Sequence, residues 1–308
     1  MIAAALHNID SYIAYFSQTE LPVLRQTVRE LAALREQEES VNGRRLASIV
    51  LQDPLMTLRV LTYIESHRRS AQNHDITTIE RAIMMMGISP FFEKFADLST
   101  LEDRLAKHPR ALLRVLKVIR RARQASSYAH DWALIRHDVD VDEITVAALL
   151  HDAAEILCGC FAPDLTEQVS QLMQKTPGLR SSNAQKAVFG FSMQDMQLAL
   201  AKAWHLPELL ITLMNDQQAR NPRVRNVLLA NNLARHASKG WTDPALPDDY
   251  SEISQLLHMS QEALLNRLGV PEEFWPGGDS LPTESIQTDA TTTNTGLPPK
   301  APDWAPGT

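Results

Sequence analysis

Val141–Leu157 reads V-D-E-I-T-V-A-A-L-L-H-D-A-A-E-I-L, an apolar run interrupted by one ionisable pair. Asp142 and Glu143 stand in its first turn, where acids favour the helix dipole, and no Gly or Pro appears before Gly159. The stretch therefore predicts one continuous helix, with His151 and Glu155 a turn apart on one face and Asp152 one step round from them. Burying such a pair costs free energy unless something compensates it. Two compensations are open. Imidazole and carboxylate can share a divalent ion that also holds a water. Alternatively the pair is structural, bonded to backbone, to Glu155 or to a basic side chain, with Asp152 partnered by an arginine from a neighbouring helix.

The rest of the chain surrounds this stretch with helical signals. Its 308 residues are 44% hydrophobic and only 6% aromatic, with Leu, Ala, Met, Arg, Glu and Gln abundant. That is enough apolar material for a sizeable core, and it favours an all-α fold. A formal charge of −7 and a pI near 5.8 argue against coating nucleic acid by bulk electrostatics. Cys158 and Cys160, spaced C-x-C, are expected as buried fillers in a reduced protein, since two thiolates alone complete no zinc site. The N-terminus has no basic n-region, and no uninterrupted apolar run reaches the roughly 20 residues of a bilayer span. The expected location is the cytoplasm, away from membranes.

Taken in order, residues 1–18 predict a first helix, with Ile2, Leu6, Ile9, Ile13 and Phe16 at helical spacing. Leu21-Pro22 should open a second and Arg44–Gln52 form a third. Asp53-Pro54 should cap and begin a fourth, and Ser66–Asp75 should be a loop. Thr77 to Glu80 has capping-box spacing ahead of Ala82–Met86, where Met84-Met85-Met86 is expected as adaptable core. Ala162-Pro163-Asp164 predicts a turn, followed by helices near 165–174, 181–189, 193–204, 223–236, 250–258 and 260–268. Residues 276–308 shift to Pro, Gly, Thr, Ser and Asp and predict a disordered tail.

Three ordered motifs carry a resemblance. They are Leu21-Pro22-x-Leu24, then Leu46-Ala47-x-Ile49-x-x-Gln52-Asp53-Pro54-x-x-Thr57, then Ile76-Thr77-x-Ile79-Glu80-x-Ala82-Ile83-x-x-x-Gly87. With Val146-x-x-Leu149-Leu150-His151-Asp152 and Ala203-Trp204-x-Leu206-Pro207, they resemble the HDOD family of bacterial proteins over roughly residues 20–238. Glu65-Ser66 departs from the small Asn-Ser dipeptide usual there. The resemblance implies an all-helical, two-lobed domain related to HD-type phosphohydrolases but serving signalling rather than turnover. The lobes are expected at 1–105 and 106–275, the second being HD-like.

An HD-type hydrolase holds its metal with an earlier His, the His-Asp pair and a distant Asp. The resemblance places the earlier ligand at Gln124 and the distant one at Asn231, both neutral amides, so only His151 and Asp152 of that set remain as metal ligands. His130, six residues from Gln124, and His236, five from Asn231, are not convincing replacements for those two positions; relatives that bind two ions add histidines where this chain has Gln194, Asp216 and Gln217. The dipeptide itself is weak evidence, since His-Asp also occurs at residues 74, 130 and 137. No cofactor is expected, and a divalent metal belongs only to the competing reading.

One helical face collects Arg110, Arg114, Lys117 and Arg121, either a platform for a phosphate or acidic partner or a solvated face balanced by nearby acids. The expectation is a non-catalytic signalling or scaffolding module that binds a signalling protein or an anionic small molecule. The alternative is a residual metal-dependent phosphohydrolase acting on a nucleotide or cyclic dinucleotide. Nucleic-acid binding through the basic face is a third, weaker reading, and it predicts affinity that falls steeply with salt.

Overall fold

Helix formers and apolar spacing produce helices along residues 1–67 and 77–276, the part of the chain that the computed structural model describes. The first half contributes α1 (Ile9–Gln18), α2 (Arg25–Arg35), α3 (Gly43–Val50), α4 (Pro54–Ser66), α5 (Ile79–Met86), α6 (Ile88–Lys94) and α7 (Leu101–Arg104). The second contributes α8 (Pro109–Ile135), α9 (Val141–Leu150), α10 (Ala153–Phe161), α11 (Pro163–Lys175), α12 (Ser181–Phe189) and α13 (Met193–Ala203). It ends with α14 (Glu208–Leu213), α15 (Pro222–His236), α16 (Leu246–Leu257) and α17 (Gln261–Leu268). Among the described residues there is no β-strand beyond two isolated bridges, so the fold is all-α.

The core is centred on α8, α9 and α15, which pack most extensively on one another. Helix α8 buries Ala111, Val115, Val118, Ile119, Ala122, Ala125, Ala129 and Trp132, a stripe at three- and four-residue steps whose alanines let neighbours approach closely. Gly159 of α10 uses that closeness: a Cβ there would lie 2.5 Å from Val115 Cγ2. Beyond its acidic first turn helix α9 is largely apolar, with Ile144 and Val146 to Leu150 buried, as befits a helix enclosed by others. Val141–Phe161 is interrupted by His151, Asp152 and Glu155, yet by length and composition alone it passes for a membrane-crossing stretch. However, 89% of its most apolar window is buried inside the fold, which explains its hydrophobicity as core.

Several boundaries differ from expectation for identifiable reasons. Helix α1 starts at Ile9, not at the chain start, because the Asn8 side chain accepts from Ser11 N and caps it. Ile2 is buried instead by an extended segment whose N–H donates to Phe161 O at 2.7 Å. Helix α1 then packs on α13, with the Tyr12 ring against Phe189 and Phe191. Leu21-Pro22 does not open α2; residues 22–24 are not helical, and Val23 bridges Thr100. Asn42 caps α3, so that helix begins one residue earlier than expected and ends two earlier. The expected capping box at Thr77 is absent: Thr77 donates to Glu143 at 2.6 Å, and Thr78 is the cap.

Asp53 caps α4 as expected and does more, its second oxygen accepting from Leu24 N and Thr27 Oγ1. Gly87 ends α5 with φ +88°, a region glycine enters without steric penalty. Met84 and Met85 do not belong to the core: they are 70% and 44% exposed, because three consecutive helical residues cannot all face inward. Pro163 is the first residue of α11, so the expected turn is a helix start. Cys158 and Cys160 are free and buried, and burial pushes both thiols up. The His74-Asp75 pair, most of the predicted 66–75 loop and nearly all of the predicted tail lie outside the described residues.

Candidate functional site

The continuous helix expected over 141–157 is broken at the His-Asp pair. Helix α9 stops at Leu150, α10 starts at Ala153, and Asp152 sits between them at φ −99°, ψ 17°. Neither Gly nor Pro causes the break; distant side chains stabilise it. The Ala154 N–H donates to the buried Gln197 Oε1 of α13 at 2.8 Å. The Asp152 carboxylate, which would otherwise be placed to cap α10, is drawn to Arg121.

Arg121 lies on α8, and its Nε and Nη2 both donate to Asp152 Oδ2, at 3.0 and 2.6 Å. The same Nη2 donates to Glu155 Oε2 at 2.8 Å. Arg235 of α15 brings a second guanidinium, its Nη2 lying 3.5 Å from Asp152 Oδ1. The His151 ring is hydrogen-bonded at both nitrogens, Nδ1 to Asp152 Oδ1 at 3.2 Å and Nε2 to Asp216 Oδ1 at 2.9 Å. Three basic groups thus face Asp152, Glu155 and Asp216. The arginine partner expected for Asp152 is present; the break and the reach of Asp216 were not foreseen.

Electrostatics follow from these contacts. For Asp152, burial works toward the neutral acid, but Arg121, the His151 hydrogen bond and Arg235 outweigh it and hold the carboxyl well below its usual range. For His151, burial favours the neutral ring, yet the bonds to Asp152 and Asp216 outweigh it and raise the imidazole to about 9. Arg121 is raised too, burial being overcome by Glu155 and Asp152.

This chemistry does not fit a divalent ion. Both ring nitrogens of His151 are already engaged, by Asp152 and Asp216, which leaves neither directed at an open position. Asp152 Oδ2 is occupied by two N–H groups of Arg121, and a guanidinium beside a would-be ligand repels a second cation. Among the described residues no group of three or more His, Cys, Asp or Glu is arranged to hold a metal.

The two amide positions have a common geometry. Gln124 sits three residues beyond Arg121 on α8. Asn231 sits four residues before Arg235; its Nδ2 donates to Val227 O, and its buried Oδ1 has no partner. Thus each helix carries an amide where a ligand is expected and, one turn away, an arginine aimed at Asp152. That turn-displaced arginine is the sequence signal that could have found the site. Gln194 donates to Met214 O, and His236 pairs with Asp249, so neither contributes to the cluster.

The proposed basic face is not uniform. Arg114 is ion-paired with Glu167 of α11 and Arg121 is committed to the cluster, while Arg110 and Lys117 are exposed.

Comparison with known proteins agrees with this architecture. The family profile described as "HDOD domain" matches residues 21–220. The MmoQ response regulator of Methylococcus capsulatus strain Bath is 19% identical, with a TM-score of 0.62 over 82% of this chain and 98% of that one. A virulence factor of Campylobacter jejuni is 17% identical, with a TM-score of 0.61 over 87% of this chain and 94% of that one. At such identities these likenesses show the fold alone. Comparison with curated proteins finds no match.

Proposed function

Because the chain belongs to the HDOD domain family, we propose that it acts as a non-catalytic signalling or scaffolding module that works by binding a partner protein. The observation that carries this reading is Arg121, whose guanidinium is bonded to Asp152 and Glu155 where a hydrolase would need a metal-held water. An arginine supplies positive charge but no open coordination position. The cluster joins α8, the α9–α10 break, the turn at Asp216 and α15 through hydrogen bonds and ion pairs. An HD-derived pocket used in this way supports a rigid binding surface. Arg235, 39% exposed and held by one long contact, is the member through which an anionic ligand could also engage the cluster.

The competing reading is a residual metal-dependent phosphohydrolase. The two are separated by assaying the full chain on bis(p-nitrophenyl) phosphate with added Mn²⁺. We expect no turnover above buffer. Metal-dependent turnover that disappears in His151→Ala would overturn the proposal.

A further inference from the structure

Between Asp103 and Asp131 the chain carries eight Lys and Arg residues and no Asp or Glu. The fold commits four of them. Arg104 lies over the Phe161 ring, Arg114 pairs with Glu167, Arg121 with Asp152 and Glu155, and Arg123 donates to Gln52 O. Lys107 precedes α8, and Arg110, Lys117 and Arg120 stay exposed on it; among the described residues none of these last three has a carboxylate at ion-pair distance. Steps of seven and three residues put them on one face, within roughly 80° of helix circumference. Leu113 stands among them, 61% exposed. Glu167 also acts on Arg110, so Lys117 and Arg120 are the least compensated.

The same stripe continues along α8 through Ser127 to Asp131, whose carboxylate accepts from Arg267 Nε of α17 at 2.7 Å. Trp275 is held beside the end of α17, its Nε1 donating to Val270 O at 2.9 Å. The chain therefore leaves the described fold near Asp131. At the helical rise that is about 16 Å along α8 from Arg120 and about 32 Å from Arg110. The sequence that follows includes Asp279-Ser280-Leu281-Pro282-Thr283-Glu284-Ser285-Ile286-Gln287-Thr288-Asp289, with three acids, two large apolar residues and no base. From residue 276 to residue 289 the chain can span up to about 45 Å, enough to pass Arg120 and reach Arg110.

We propose that residues 279–289 bind back along this face of α8, their carboxylates meeting Arg110, Lys117 and Arg120 while Leu281 and Ile286 cover Leu113. Single exposed ion pairs are weak, so the tether is what makes occupancy effective, holding the segment at a local concentration on the order of millimolar. An acidic partner then reaches the basic face only by displacing the segment. The inference stands whether or not the His151 cluster is catalytic.

The test places a nitroxide on Ser285→Cys in the full chain and reads the broadening of backbone amides; Cys158 and Cys160 are buried and stay unlabelled. Broadening is expected to centre on residues 110–120 of α8. It should fall about threefold or more when salt is raised roughly tenfold from about 50 mM, because added ions screen exposed charges. Lys117→Glu/Arg120→Glu should remove it, and Lys239→Glu, exposed elsewhere, should leave it unchanged. Glu284→Lys/Asp289→Lys should remove it as well, and that variant decides the matter if the α8 variant does not fold. Broadening that spreads evenly over the surface, stays near α17, ignores salt or survives both charge reversals would overturn the proposal. So would broadening of an isotope-labelled chain by a nitroxide on a second, unlabelled copy, which would make the contact intermolecular.

Discussion

Replacing Arg121 by Met keeps most of its volume and removes the charge that Asp152 depends on. The carboxylate is 7% exposed and its nearest cationic contact, at 2.6 Å, disappears. Stripping one partner from a buried ion pair costs about 3–5 kcal/mol because the remaining charge is left uncompensated. Here Arg235 at 3.5 Å and His151 at 3.2 Å remain, so the expected loss is at the lower end, about 2–4 kcal/mol at pH 7. Denaturant unfolding of wild type and variant measures it. The pH dependence gives a second signature. Because the folded pKa of Asp152 is depressed, its stabilisation is present above its ordinary value of 3.8 and is lost as pH falls through the folded value. The difference between wild type and Arg121→Met should therefore narrow as pH drops below about 4. The double variant Arg121→Met/Asp152→Asn should recover part of the loss, a coupling of about 1–3 kcal/mol. A loss under about 1 kcal/mol that is constant with pH would refute the reasoning.

Other consequences can be checked with the same unfolding measurements. His151 is raised from 6.5 to about 9, so its contribution, about 3 kcal/mol, is complete below pH 6.5 and is lost as pH rises to 9; His151→Ala should flatten stability across that window, and an unchanged slope would contradict the assignment. Gly159→Ala forces a Cβ to 2.5 Å from Val115 and should destabilise by about 1–3 kcal/mol despite alanine's better helix propensity, with Val115→Ala rescuing it. Asp53→Asn turns an amide NH₂ toward donors that a carboxylate accepts, from Leu24, Thr27, Leu55 and Met56, and should cost about 2–4 kcal/mol with α2 and α4 loosened in amide exchange. A neutral Asp53→Asn would show that this cap is dispensable.

Much of the fold was legible because its signals are local. The periodic segment Arg223–His236 marked α15, and Asp53-Pro54 marked the start of α4. What escaped was set by partners far along the chain. The break at His151-Asp152 contains no helix breaker; it is held by Arg121 and Gln197, 31 and 43 residues away. Thr77 lost its capping role to Glu143, 66 residues on. At the site, His151 and Asp152 were visible from their apolar context and an arginine partner followed from the cost of burying charge. In the sequence Asp216 is marked only as a position where two-ion relatives carry a histidine. Its place in the cluster depends on how a short turn, Asp216–Gln218, packs over the break, which periodicity does not encode.

Calorimetric titration of Mn²⁺ into the full chain at pH 7 tests the central claim most directly, since it asks whether guanidinium groups hold the place of an ion. The account expects no saturable heat. Stoichiometric Mn²⁺ binding that is lost in His151→Ala and retained in Arg121→Met would contradict it.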